Sequence, residues 1–261
     1  MRRRFYVLLA LAFLFCALPA RAAWGTAAGT CSAQSKTAGT SLTCNVTGSD
    51  YLAGNVVFLW FAGDNTATVD GNDGLLSSVT DSGSNVWVVD RCFTNSQAAA
   101  AAGATGCIAH SKLTTTLTTA TGQITANFAS ITAKGFVTKQ FTITAGNVVS
   151  VVGTPGDLAN DAADPGAITV GSLASAEHLW VRVSALERPT GGTWTITTGF
   201  TTSTCNGTTG NPAASNMDAC GEFIVATATT ETSDPTGTAV DSASTFIAFN
   251  EAVPSARNRI W

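Results

Sequence analysis

The sequence predicts an all-β fold, a single jelly-roll-like or related β-sandwich stapled by local disulfides. Three observations carry that reading. Apolar residues come in strand-length bursts, no long segment shows a helical period, and clusters of Gly, Asp, Asn and Pro recur between the bursts. "NVVFLWF" (55–61) is a continuous apolar run of central-strand length, whereas "GQITANF" (122–128) and "TWTIT" (193–197) alternate with period two. In "TWTIT", Trp194 and Ile196 fall on one face and three threonines on the other, as in a sheet with one wet side. Threonine suits that side because β-branching favours extended backbone while the hydroxyl meets water. "GDNTATVDGNDG" (63–74), "TPGDLANDAADPG" (154–166) and "TSDPTG" (232–237) read as the turns between strands. Many short strands punctuated in this way indicate a sandwich or barrel.

The chain opens with Arg2, Arg3 and Arg4, an apolar run from Phe5 to Leu18, and the tripeptide Ala20-Arg21-Ala22. That is the pattern of a bacterial-type secretory signal cleaved after Ala22, so residues 1–22 are expected to leave and 23–261 to form one domain. A membrane anchor is the rival reading, but the apolar run is shorter than the roughly 20 residues a spanning helix needs. No membrane span is therefore expected after cleavage. The arginines have a twin-arginine look, yet the Leu/Phe-rich core suits the general secretory route. A lipoprotein reading of Cys16 fails on the bulky Phe15 before it.

Of 13 Lys and Arg residues, four leave with the leader, against 17 Asp and Glu, so the formal charge of −4 becomes more negative on maturation. Nucleic acid is excluded as an expected partner, since phosphate binding needs a concentration of basic residues absent here.

Six cysteines remain after the leader: Cys31, Cys44, Cys92, Cys107, Cys205 and Cys220. An even number in an exported chain reads as disulfides. Spacing favours Cys31 with Cys44, Cys92 with Cys107 and Cys205 with Cys220, each closing a loop of about 15 residues worth roughly 3 kcal/mol in the chain-entropy model. Zinc is the alternative, but no CxxC pair is present.

The loops 92–107 and 205–220 have identical length and similar neighbourhoods. "VWVVD" and "TWTIT" precede them, "CIAHSKL" and "CGEFIVA" close them, and "GFVTKQFTI" and "STFIAFN" come later. Upstream, "VVFLWFA" mirrors "HLWVRVSA". Residues 55–143 and 178–250 are read as two copies of one β unit. The plainer alternative is that Thr-rich strands look alike by composition.

"GNVVFLWFAG" followed by "SSVTDSGSNVWVV" resembles a class of secreted or phage-tail-associated Thr/Gly-rich β-sandwich domains. In these, a Gly-Asp/Asn-apolar strand precedes a Ser-Val-Thr-Asp-Ser-Gly-x-Asn-x-Trp hairpin, here Gly54 to Val56 and Ser78 to Trp87. The resemblance implies a jelly-roll-like sandwich with a surface, adhesive or glycan-facing role and carries over no catalytic residues. The six cysteines depart from that pattern.

There is no GxSxG, HExxH or P-loop, and the chain holds only His110 and His178. His110 stands three residues after Cys107 as Phe223 stands three after Cys220, which reads as a core strand position; His178 reads as a rim residue. Trp60, Trp87, Trp180 and Trp194 lie in strands, where core packing is the ordinary role and sugar stacking the functional rival. "DGNDG" (70–74) gathers oxygen ligands that calcium favours, notably Asp70 and Asp73, without the spacing of an EF-hand. Turn chemistry explains it, and no metal or cofactor is expected. The expected function is non-enzymatic: an extracellular or cell-surface module acting in adhesion, envelope structure or glycan binding. The alternative is a secreted polysaccharide-active hydrolase using a carboxylate pair. Binding is expected at loops on one end of the sandwich, namely 63–74 and the two stapled loops, with Asn95, Asn206 and Asn216 as hydrogen-bonding groups.

Overall fold

The apolar run at 55–61 becomes β4 (Val56–Asp64), every residue of which is buried because the strand lies between two layers. Val57, Leu59 and Phe61 on one face pack with Ile124, Ala126 and Phe128. Val56, Phe58 and Trp60 on the other pack with Leu179, Val181 and Val183. A strand apolar at consecutive positions is thereby satisfied on both sides. The computed structural model describes residues 24–161, 164–187, 193–209 and 216–254; the predicted leader lies outside them.

In the first half, β1 (Gly25–Thr26), β2 (Ser32–Ser35), β3 (Gly39–Asn45), β4, β5 (Gly71–Asn72), β6 (Leu76–Asp81), β7 (Val88–Asn95), β8 (Ala104–Lys112), β9 (Gln123–Ile131) and β10 (Lys134–Thr142) follow one another. The second half contains β11 (Val148–Asn160), β12 (Ile168–Val170), β13 (Ala176–Glu187), β14 (Trp194–Thr195), β15 (Thr201–Gly207), β16 (Met217–Ala228), β17 (Glu231–Ser233), β18 (Thr236–Gly237) and β19 (Asp241–Ala252). The main sheet of the first half runs β1-β10-β4-β8-β7-β5, with β2 also on β10; that of the second runs β11-β19-β13-β16-β15. A three-stranded sheet β3-β9-β6 covers the first, and the pairs β12-β17 and β14-β18 belong to the second.

These orders are the same order. With β1/β2 and β17/β18 each taken as one interrupted strand and β5 set aside, each half has eight strands. Its main sheet runs first-eighth-third-sixth and its cover second-seventh-fourth, which is the arrangement of a jelly roll. The fifth strand, β7 or β15, hydrogen-bonds to the sixth in both halves. The all-β class, the sandwich architecture and the disulfides Cys31–Cys44, Cys92–Cys107 and Cys205–Cys220 agree with the sequence reading, while the single sandwich expected there is a stack of two, because each half carries its own covering strands. The two sandwiches stack through their main sheets.

The correspondence extends to single residues. Cys92 and Cys107 are register partners, as are Cys205 and Cys220, and each ladder skips one residue two positions before the first cysteine: Asp90 in β7, Ser203 in β15. Across the stack, the His110 and Phe249 rings lie 5.6 Å apart, and their counterparts Phe223 and Phe141 lie 4.9 Å apart. Reciprocal contacts of this kind mark an approximate two-fold relation between the sandwiches. Gly221 permits the close approach, since a Cβ there would stand 2.9 Å from the Trp60 ring.

The mirrored segments "VVFLWFA" and "HLWVRVSA" do correspond, Val56–Ala62 matching Leu179–Ala185; Trp60 and Trp180 sit three residues out of step within them, so Trp60 points into the stack and Trp180 away from it. Other details differ from the sequence reading. Ser78–Trp87 does not form a hairpin, because β6 pairs with β9 and β7 with β8. Asp81 instead makes the stretch a crossing between sheets. Its Oδ1 accepts from the Gly83 and Asn85 amides at 2.8 and 3.1 Å, and its Oδ2 from Trp87 Nε1 at 2.7 Å. Most of the expected turn at 154–166 is taken by β11, which absorbs Pro155 in a bulge between Val152 and Gly156 on an edge strand.

Candidate functional site

At the end of β4 the chain leaves the ladder, and Asn65 fastens two loops together. Its Nδ2 donates to the carbonyls of Ala67 and Ala99 at 2.7 Å, and its Oδ1 accepts from the amides of Ala102 and Gly103 at 3.1 and 2.8 Å. Asn65 is 1 % exposed, so these bonds replace water for an amide that would otherwise be costly to bury. The stapled loop starts on β7, is closed by Cys92–Cys107, and holds Gln97, Ala98 and Ala101 at φ 49°, 59° and 56°. Left-handed backbone at three non-glycine residues costs free energy that the staple and Asn65 together offset.

Between the 63–74 loop and the stapled loop lies a groove of about 510 Å³ lined by Thr68, Asp70, Asn95, Ser96, Gln97 and Asp161, among others. Asp70 Oδ1 accepts from the Ser96 amide and hydroxyl at 2.8 and 2.9 Å. Asp161 Oδ1 accepts from Asn95 Nδ2 at 2.9 Å and from Gln97 Nε2. Asn95 Nδ2 reaches the Ser242 carbonyl at 3.2 Å, tying the loop of the first sandwich to β19 of the second. The lining contains amides, hydroxyls and two carboxylates, with no aromatic or basic side chain. It can exchange hydrogen bonds with a polar ligand and offers no positive charge to an anion.

Beside the groove, carboxyls from both sandwiches meet. Asp64 ends β4, and Glu187 ends β13 at the equivalent position. Glu187 is the register partner of Asp241, the first residue of β19. Burial, reinforced by Asp241, pushes Glu187 up to about 9, and burial raises Asp241 to about 6. Burial also raises Asp64, against the pull of the Ala133 and Thr132 amides. Asp241 is 2 % exposed and its Oδ1 has no ordinary donor among the described residues. The Glu187 and Asp241 side chains are hydrogen-bonded to each other, with the proton favoured on Glu187, the arrangement of two acids sharing a proton.

A second buried polar group holds the interior of the second sandwich. Arg182 and Glu222, both fully buried, are register partners in β13 and β16. The guanidinium donates to the Ser184 hydroxyl at 2.9 Å, the Ser233 carbonyl at 2.9 Å, the Ser244 hydroxyl at 3.0 Å and the Pro165 carbonyl at 3.2 Å. Glu222 accepts from the Thr197 amide and hydroxyl, both at 2.7 Å, and from the Ser233 hydroxyl at 2.5 Å. Burial lowers Arg182 to about 10 while the Glu222 charge opposes it. These bonds pin the covering pairs to the main sheet. The sequence signal was a charge inside each of two apolar strands, "LWVRVSAL" and "CGEFIVA".

Of the asparagines singled out from the sequence, Asn95 lines the groove and the others do not. Asn206 Nδ2 donates to the carbonyls of Ala33 and Phe136 at 2.7 and 3.0 Å, joining β15 to β2 and β10. Asn216 is buried and accepts from Lys36 Nζ at 2.9 Å. Residues 210–215 of the second stapled loop lie outside the described residues. Asp73 Oδ2 accepts from the Thr94 hydroxyl at 3.1 Å, so it and Asp70 both serve loop structure, and no cluster able to hold a metal ion is found among the described residues. His178 is 3 % exposed and edge-on to Trp180 at 5.7 Å, a buried residue and not a rim one. His110 is buried against Phe58, and its Nδ1 lies 2.8 Å from Asp90 Oδ2 at the bulge. Trp60 and Trp180 are fully buried, which removes them as sugar platforms. Among the described residues no helix is long and apolar enough to cross a membrane. Comparison with known proteins finds no matching family model, no matching curated protein and no matching solved structure.

Proposed function

We propose that this chain is an exported, non-catalytic module that binds a polar extracellular ligand, a glycan or cell-envelope component, in the groove between the 63–74 loop and the first stapled loop. Three local disulfides fit an oxidising compartment. The observation that carries the reading is the groove's construction: two loops of different origin, fixed by a disulfide and by Asn65, present amides and hydroxyls in one hollow. Loops fixed before a partner arrives lose less entropy on binding. The test is a glycan array, with whole bacterial cells alongside, comparing the mature protein with Asp161→Ala. Binding that weakens in the variant supports the reading; no binding to any glycan or envelope preparation sinks it.

One observation favours the rival hydrolase. Glu187 and Asp241 are neighbouring carboxyls held at different pKa values, as acid–base pairs in glycosidases are. Neither lines the groove, and Asp241 is almost wholly covered, so a binding role has the better support. Polysaccharide hydrolysis that disappears in Glu187→Gln would reverse that ranking.

A further inference from the structure

Glu187 and Asp241 form the last rung of the ladder between β13 and β19. Cross-strand neighbours stand about 4.5–5.5 Å apart at Cβ, and like charges directly opposite each other are destabilising. The Val240 amide donates to the Glu187 carbonyl at 2.6 Å, so the chain is already tethered at this point and the strain of two charges would fall on the side chains and the start of β19. Among the described residues the charges acting on Glu187 are Asp241 and Asp64, and the charge acting on Asp241 is Asp161, all of them acidic. Lys134 is committed to the carbonyls of Thr37, Ile131 and Thr132, and Lys36 reaches Asn216. From β16, Met217 stands opposite Glu187 and Asp218 opposite Leu186.

The rung is one residue from the groove's anchor. Ser242, next to Asp241, accepts from Asn95 Nδ2; the same amide bonds Asp161, and Asp161 bonds Gln97. Three groove residues thus hang on the first residues of β19. We infer that the Glu187–Asp241 rung is a proton-controlled latch on the groove, closed while the two carboxyls share a proton and loosened when both ionise. The direction follows from linkage. Both groups titrate higher in the fold than the roughly 4 of an unfolded carboxyl, so their contribution is complete below that value and is lost as pH rises through about 6 and then about 9. A contiguous route of one peptide unit and three hydrogen bonds carries the change through the groove. The proposal rests on the binding role only for the latch's purpose, since the latch itself is read without any ligand.

The experiment uses the mature, disulfide-intact protein, Glu187→Gln, and Asp241→Asn as a second variant. Glu187→Gln keeps a donor facing Asp241 at every pH. Thermal unfolding between pH 6 and 10, and amide hydrogen exchange of the peptide containing residues 94–98, are compared between proteins at each pH. Expected is a Tm that falls toward pH 10 in the unchanged protein by about 5 °C or more relative to Glu187→Gln, with faster exchange at 94–98 at pH 10 and equal exchange at pH 6. Asp241→Asn should likewise flatten the profile. Parallel Tm profiles overturn the latch, and a Tm difference without an exchange difference overturns its link to the groove. Failure of every glycan to bind would sink the binding role and leave these results standing.

Discussion

At equivalent points of the two sandwiches, the first places Leu59 opposite Ala109 and the second places Arg182 opposite Glu222. All four residues are fully buried. In the first sandwich, apolar side chains fill the space between main sheet and cover, and the cover is a continuous three-stranded sheet. In the second, the cover is two short pairs, and the guanidinium and carboxylate supply the hydrogen bonds that attach them. One strand order therefore accepts either filling. An apolar interior asks only for area and shape, whereas buried charged groups must satisfy every donor and acceptor, and in return they locate elements too short to hold themselves. The groove belongs to the better-covered sandwich, where rigid strands fix the loops.

The comparison breaks most visibly at Glu222. Glu222→Ala removes the foremost of the charges that favour the Arg182 cation and strips the acceptor from Thr197 and Ser233, and is expected to cost about 3–5 kcal/mol in urea unfolding. The pair Arg182→Leu with Glu222→Ala copies the first sandwich and should cost less than Glu222→Ala alone. A pair that costs more would mean that the second frame cannot take an apolar filling.

The staples come next. Replacing Cys92 and Cys107, or Cys205 and Cys220, by Ala should each cost about 3 kcal/mol, because both close a sequence separation of 15 between register partners. Non-reduced peptide mapping checks the pairing, and unfolding curves check the equality. A cost in one loop twice that in the other would end the equivalence of the two connections.

His110 and Asp90 in the first sandwich stand where Phe223 and Ser203 stand in the second. Exchange of His110 for Phe looks neutral by volume, yet it strips the partner from Asp90, whose side chain is buried and whose carboxyl burial already raises. His110→Phe is expected to cost about 1–3 kcal/mol, and Asp90→Ser in the same chain should recover most of it. A double-mutant cycle measures the recovery.

The smallest effect on stability belongs to Gln97→Ala. The side chain is exposed, so unfolding should shift by less than about 0.5 kcal/mol. Its loss should still weaken ligand capture on the array, because Gln97 lines the groove. Unchanged capture would move binding elsewhere.

Local chemistry was enough for the strands and the staples. A continuous apolar run can only be a strand covered twice, alternation marks one wet face, and cysteines close in sequence meet when a hairpin folds between them. Both stapled hairpins could be read this way, and the loops 63–74 and 92–107, expected to bind because they escape the ladder, do flank one groove. What pairs with what over long distances left weaker traces. Trp60 and Trp180, in the two mirrored segments, face opposite sides because they sit three residues out of step, and an odd offset reverses the face. Asn206 looked like a ligand group and is a tie between sandwiches.

By itself, then, the sequence determined an all-β chain with local staples and paired β segments, since propensity, alternation and short loops act within a few residues. Only the tertiary structure decided that the two main sheets stack face to face, that Arg182 meets Glu222, that Glu187 meets Asp241, and that Asn95 meets β19. Each of these joins residues far apart in the chain, and their energies exist only once sheet order and register have brought them together.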